Sequence, residues 1–257
     1  MPGSRFFPHQ MKRKKLNKIL LFISFLTIML STMGFQSSKK QAKNILIFTK
    51  TAGYRHKSID QGVAAIRTLG DKHGFTVFHT EDDSFINPGN LKHYHTVIFL
   101  NTTGDILNDE QQMHFERYIQ AGGGWVGIHS ATDTEYEWPW YGQLAGAYFN
   151  GHPRIQDADL IVVDKSHPST KNLQNIWSRK DEWYNFRYVN PNVNILIKID
   201  EDTYEGGTNG ENHPVSWYHS YDGGRAFYTA LGHTKESYQE KLFLEHILAG
   251  IRWTMGV

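Results

Sequence analysis

Short apolar runs of strand length alternate along this chain with stretches that repeat apolar residues at helical spacing, and this alternation constrains the fold more than any other feature. Asn44-Ile-Leu-Ile-Phe-Thr49 is followed by the turn Ala52-Gly53, and from Ser58 onward Ile59, Val63, Ile66 and Leu69 fall on one helical face. Phe75 to Thr80 and Thr96 to Leu100 read as further strands. Asn108 and Gln111 have the spacing of a capping box that opens a helix to about Ala121. Gly122-Gly-Gly124 ends that helix, and Trp125-Val-Gly-Ile128 is a strand that runs directly into His129-Ser130-Ala131. Strands and helices in this order predict a parallel sheet covered on both faces and joined by right-handed crossovers. Ligands of such sheets bind beyond the carboxyl ends of the strands. The segments Thr49 to His56, Asn101 to Asp105 and His129 to Asp133 are therefore expected to carry the function.

The second half is less regular. Leu160 to Val163, Asn194 to Lys198, Pro214 to Tyr218 and Arg225 to Thr229 read as strands, the last two joined by the turn Asp222-Gly-Gly224. A final helix from about Lys235 places Leu244, Ile247, Leu248 and Ile251 on one face. The expected fold class is α/β, with a mostly parallel sheet of six or seven strands and an antiparallel addition.

The N-terminus is set apart from this pattern. Lys12, Arg13, Lys14, Lys15 and Lys18 precede an apolar run from Ile19 to Leu30, which is the arrangement of a signal peptide. Twelve helical residues reach about 18 Å, short of the roughly 30 Å hydrocarbon core, so no stable membrane span is expected. Residues 1–34 are read as a signal peptide, 35–43 as a polar tether and 44–257 as one domain, which places the mature protein in the periplasm or otherwise outside the cytoplasm. Met11 is an alternative start. Cleavage removes six basic groups and no acidic one, and takes the formal charge from +1 to −5. A mildly acidic mature chain is a poor partner for nucleic acid. The absence of cysteine excludes disulfides, thiolate zinc sites and a cysteine nucleophile.

Six of the fourteen histidines, His56, His129, His152, His167, His213 and His233, sit in expected loops beside Gly, Pro or Ser. Convergence on one cleft is the expectation, although any one of them alone reads as a solvated or backbone-bonded imidazole. His129 occupies the tight turn after a strand, as in a nucleophile elbow, and is expected to face the solvent of the cleft at the start of a helix. The small Ser130 and Ala131 would leave backbone N–H groups free for an anion. Asp133 and Glu182 are the candidate proton-transfer partners of His129. Asp181-Glu-Trp-Tyr184 sets a carboxylate beside two aromatics, which reads either as a proton-transfer group whose pKa desolvation raises or as a surface Asp-Glu pair with Trp183 in the core. Glu135 and Glu137 flank Tyr136, Trp138 and Trp140, which reads either as a wall for a sugar ring or as a satellite apolar cluster. Several imidazoles with one carboxylate also suit a divalent metal, which no close His spacing supports and which distant loops would have to assemble.

Gly53-Tyr-Arg-His56, the segment Gly122 to Thr134, Asn150-Gly-His-Pro153, Asp181-Glu-Trp-Tyr184, and Pro214-Val-Ser-Trp217 leading to Gly224-Arg-Ala-Phe-Tyr-Thr-Ala-Leu-Gly-His233 together resemble the motif set of the trehalose-utilisation (ThuA-like) family. The resemblance spans essentially the whole mature chain. It implies a flavodoxin-like three-layer sandwich related to class I glutamine amidotransferases, and a carbohydrate as the substrate class. Where those amidotransferases carry Gly-x-Cys-x-Gly, this chain has Gly127-Ile-His-Ser-Ala131, so glutamine thioester chemistry is not expected.

The leading expectation is an enzyme acting on a glycoside or keto-sugar, a hydrolase, lyase or isomerase. His129, Glu182 and Asp133 are its catalytic candidates. His56, His152, His233, Trp138 and Tyr184 are candidates for binding a small-molecule saccharide. The alternative is a carbohydrate-binding or accessory protein that uses the same cleft without turnover.

Overall fold

The computed structural model describes residues 43–257, and before them only Met1 and Gly3. The expected leader over residues 1–34 and tether over 35–43 otherwise lie outside the described residues. Lys43, the last tether residue, already belongs to β1 (Lys43–Phe48). No described helix is long and apolar enough to cross a membrane.

Ile45, Leu46, Ile47 and Phe48 of β1 are all fully buried, the mark of a strand covered on both faces. The next elements are α1 (Ile59–His73), β2 (Phe75–Thr80), the single turn α2 (Pro88–Leu91), β3 (Thr96–Leu100), α3 (Asp109–Gln120) and β4 (Gly124–Ile128). Ile59, Val63, Ile66 and Leu69 form the buried stripe of α1, and left-handed Gly74 ends it. At α3 both hydrogen bonds of the Asn108–Gln111 capping box are made. There follow α4 (Pro139–Ala145), β5 (Ala147–Gly151), β6 (Gln156–Val162), β7 (Ile176–Asp181), β8 (Asn185–Val189), β9 (Asn194–Ile199), β10 (Pro214–Tyr221), β11 (Gly224–Thr229) and α5 (Lys241–Thr254).

Nine strands form one mixed sheet in the order β2-β1-β3-β4-β11-β10-β9-β6-β7, and β5 pairs with β8 apart from it. The pairs β2–β1, β1–β3, β3–β4 and β4–β11 are parallel. The pairs β11–β10, β10–β9, β9–β6 and β6–β7 are antiparallel. The antiparallel part is thus half of a nine-strand sheet, larger than the addition to six or seven strands expected from the sequence. Phe99 and Trp125 meet Phe115 of α3 and Tyr141 of α4. Phe227 meets α5 at Gly250, and Leu100 meets α1 at Gly62, so helices cover both faces of the parallel half.

Two expected elements differ. The C-terminal helix starts at Lys241, because Glu240 is extended (φ −78°, ψ 118°) and separates it from a 3-10 turn over Glu236–Gln239. No α-helix follows His129: Ile128 leads into one 3-10 turn, His129–Thr132, which ends at Asp133. A turn this short aligns too few peptide dipoles to make the anion site expected at Ser130 and Ala131.

Candidate functional site

His129 is placed by β4. Leu100 of β3 and Thr229 of β11 flank Ile128 in register, so the residue that follows emerges at the carboxyl edge of a central parallel strand. Its φ of +53° is left-handed, which costs a non-glycine residue roughly 1–3 kcal/mol. Three hydrogen bonds hold the turn against that strain. The Tyr228 hydroxyl donates to the His129 carbonyl oxygen (2.7 Å), the Thr132 hydroxyl lies 2.9 Å from the same phenol, and the Tyr141 hydroxyl donates to the Ala131 carbonyl oxygen (2.6 Å). Gly127 is required on the strand itself, since a Cβ there would come within 2.3 Å of the buried Trp125 ring.

Four groups converge at this edge. His56, from the loop after β1, His129, His233, from the loop after β11, and Glu182, just beyond β7, offer ligand atoms that all lie within 4.8 Å of one another. Glu182 Oε2 is 3.0 Å from His233 Nδ1 and 3.4 Å from His129 Nε2, while Oε1 is 3.2 Å from His152 Nδ1. His129 Nε2 and His233 Nδ1 are 3.1 Å apart, and the His56 ring stands edge-on to both. Tyr184 closes one side, with its ring 4.2 Å from that of His129 and from that of Phe149. The His129 side chain has no exposed surface and that of Glu182 is 8 % exposed, whereas His152 is 41 % exposed and forms the open side.

Glu182 comes from the far edge of the sheet. Five strand-to-strand steps separate β4 from β7, about 24 Å in a flat sheet. The contact between Glu182 and His129 therefore requires the antiparallel half to curl back over the carboxyl edge of the parallel half.

Burial and the neighbouring His129 and His233 hold His56 down to about 2, so its ring is neutral. Burial alone would push the Glu182 carboxyl up. With His129 and His233 protonated, their hydrogen bonds and charge outweigh it, and the pKa lies well below the ordinary carboxylate range, opposite to the rise expected from the sequence.

A second layer fixes these groups. Asp181 Oδ1 accepts from the backbone N–H groups of Glu182 (3.0 Å) and His233 (3.1 Å), and Oδ2 from Gly232 N–H (2.9 Å), the Ser237 hydroxyl (3.2 Å) and Arg179 Nη2 (3.1 Å). One buried carboxylate thus ties the loop that carries His233 to the strand end that carries Glu182. The Asn101 amide donates to Ser58 Oγ (2.9 Å) and Ser58 Oγ donates to the Gly232 carbonyl oxygen (3.3 Å), which links the loops after β1, β3 and β11.

Of the sequence candidates, His56, His129, His152, His233, Glu182 and Tyr184 are brought together. Three expectations are corrected. His129 does not face solvent, because Tyr184, His56, His233 and Glu182 enclose it. Asp133 accepts a hydrogen bond from the Tyr136 hydroxyl (2.6 Å), and desolvation pushes its carboxyl up, but it bonds no imidazole of the cluster. Trp138 is no cleft wall: its indole N–H donates to Glu116 (3.0 Å) and its ring stacks on Trp140 and Tyr141. That segment is part of the main core, packed against α3, and Glu135 in it is occupied by the backbone N–H groups of Ile106 and Leu107 (both 2.8 Å). His213 and His167 also stay outside the cleft, the first satisfied by Glu201 (2.7 Å) and the Tyr184 carbonyl oxygen (2.7 Å), the second bonded through Nδ1 to Ser169 (2.7 Å). Asp181 is the site residue to which sequence reasoning gave no role. Its only signal was its place next to Glu182 in a motif.

A family model described as "Trehalose utilisation" (ThuA) matches residues 44–254, and the chain belongs to that family. No curated protein matches the sequence. A ThuA-like protein from Bacteroides uniformis is similar in structure, with 24 % identity, a TM-score of 0.71, and coverage of 86 % of this chain and 95 % of that one. A ThuA-like protein from Parabacteroides merdae is similar at 23 % identity and a TM-score of 0.70, over 84 % of this chain and 90 % of that one. A β-galactosidase from Bacillus circulans sp. alkalophilus has 12 % identity and a TM-score of 0.54, over 84 % of this chain and 31 % of that one. At such identities the likeness is one of fold.

Proposed function

We propose that the chain is an exported enzyme of carbohydrate metabolism which acts by acid–base chemistry on a glycoside or keto-sugar bound at the His152 side of this cluster. The observation that carries the reading is the pairing of His152 with Glu182. The His152 Nδ1 atom faces two acceptors, Glu182 Oε1 at 3.2 Å and the Pro153 carbonyl oxygen at 2.9 Å, so it carries the ring proton and leaves Nε2 as a free base. An imidazole oriented by a buried carboxylate is the arrangement of a general base, and the exposed side chain lets it meet a sugar hydroxyl. The proton-transfer role thereby moves from His129, which is enclosed, to His152. Glu182 orients it, and Tyr184, His56 and His233 shape the pocket.

The family's description as trehalose utilisation supports a sugar as substrate. The order β2-β1-β3-β4 in the parallel half supports the flavodoxin-like reading of the core, whose ligands sit at this edge. The basic and then apolar N-terminus supports export, which the mass of the secreted form would check.

Turnover of a panel of glycosides and their keto derivatives by wild type, His152→Ala and Glu182→Gln tests the proposal. Activity on one of them, lost by about 100-fold or more in either variant, is the expected result. Sugar binding without turnover on every compound would make the chain a binding protein.

A further inference from the structure

We infer that His56, His129, His233 and Glu182 form a site for one divalent cation of the zinc class. The inference concerns the same cleft as the proposed sugar chemistry and adds the ion that its buried part takes.

His129 Nδ1 lies 2.7 Å from the Ala230 carbonyl oxygen, which can only accept, so Nδ1 carries the proton and a neutral ring leaves Nε2 with a lone pair. That lone pair faces the Glu182 carboxylate at 3.4 Å and His233 Nδ1 at 3.1 Å, and His233 Nδ1 faces Glu182 at 3.0 Å. With neutral imidazoles at most one proton, that of His233 Nδ1, serves three mutually facing atoms. Buried acceptors in such contact repel unless a positive centre lies between them. Either one further proton or a cation fills that role.

Geometry favours the cation. A tetrahedral zinc with ligands at roughly 2.0–2.1 Å sets those ligands about 3.3 Å apart. The three separations of 3.0, 3.1 and 3.4 Å are close to that spacing, and the fourth donor, His56, completes a set within 4.8 Å. The rings of His56, His129 and His233 stand edge-on to one another, so that three imidazoles crowd one small volume beside the Glu182 carboxylate.

The surroundings are those of a metal site. His129 gives its other ring nitrogen to a backbone carbonyl, the usual device that orients a metal-binding imidazole. Glu182 Oε1 is held by His152, which leaves Oε2 for the ion, and Asp181 fixes the backbone of both Glu182 and His233. Three imidazoles with one carboxylate suit zinc, cobalt or nickel, whereas magnesium and calcium call for oxygen donors.

Titration of the full-length, chelator-stripped protein with zinc ion in a calorimeter tests the inference without any turnover. One site per chain with a Kd below about 1 µM is expected, unaffected by millimolar magnesium. Glu182→Gln and His233→Ala should each weaken it more than about 100-fold, while His73→Ala, at the end of α1, changes nothing. Bound cobalt should give the visible absorption of a four- or five-coordinate ion. Near-ultraviolet circular dichroism checks that each variant is folded. No stoichiometric binding to wild type overturns the inference and assigns the positive centre to a proton. Tight binding that survives in both folded variants overturns it as well. A metal-free enzyme whose turnover still needs Glu182 would leave the carbohydrate proposal standing alone, and a zinc protein without turnover would do the reverse.

Discussion

His129 Nδ1 lies 2.7 Å from the carbonyl oxygen of Ala230, a residue 101 positions further along the chain. The bond fixes the tautomer of the most buried imidazole in the site and joins the ends of β4 and β11. His129→Ala should therefore destabilise the protein by about 2–4 kcal/mol, since it opens a cavity and strands a buried acceptor. Urea unfolding measures this. An unchanged midpoint would mean that the ring contributes nothing to the fold.

Asp181 should be as costly to lose. Asp181→Ala frees four donated hydrogen bonds and removes the nearer of the two carboxylates that face the buried Arg179, at 3.1 Å, leaving it only Glu240 at 3.3 Å. A loss of about 3–5 kcal/mol is expected. Asp181→Asn keeps the shape and should fold, while loosening the loop at Gly232 and His233. Measured on that variant, turnover should fall more than substrate affinity.

Trp138 separates the two readings of its aromatic segment. The ring packs with Phe115, Trp140 and Tyr141, so Trp138→Ala should lower stability by about 3–5 kcal/mol and leave sugar affinity unchanged. Weaker sugar binding at full stability would restore it to the cleft.

Acid should destabilise the protein through His246. Its ring lies wholly inside, between the Ser169 carbonyl oxygen (3.0 Å) and Ser216 Oγ (3.2 Å), and burial pushes it down to about 4, with His167 and Arg179 nearby lowering it further. The unfolded chain binds this proton near pH 6.5 and the folded one only near 4, so the unfolded state holds more protons between those values. Stability then rises with pH across that window and is lost on acidification, by about 3 kcal/mol for this group. The His246→Gln variant should show a correspondingly shallower fall in unfolding free energy between pH 7 and 4.5.

The parallel half was legible because a strand buried on both faces is a run of apolar residues, as in Ile45 to Phe48, and because helices with a clear apolar stripe or cap, α1 and α3, alternate with those strands. The antiparallel half was less so. Strand β7 turns Trp177, Arg179 and Asp181 inward and Ile176, Ser178 and Lys180 outward, so hydrophobicity does not follow its alternation. Strands β5 and β8, rich in Tyr, Asn and Arg, hide in the same way. Among the loop histidines, composition could not separate His152 and His233 from His167 and His213, whose partners are Ser169 and Glu201. Only the path of the sheet decides which of them reach β4. Trp138 misled for a related reason, since an aromatic beside carboxylates has the same sequence signature in a sugar pocket and in a packed cluster.

The return of β7 over the carboxyl edge bears on the order of events when the chain folds. The three imidazoles at strand ends of the parallel half can approach one another once β1, β4 and β11 are aligned. Glu182 can join them only after the five steps from β4 to β7 have been laid down and bent. Pairings between distant segments close slowly, because loop entropy is lost before their contacts form. In a refolding experiment the capacity to bind a ligand in the cleft should thus be the last property to return, behind the burial of Trp125 in the core.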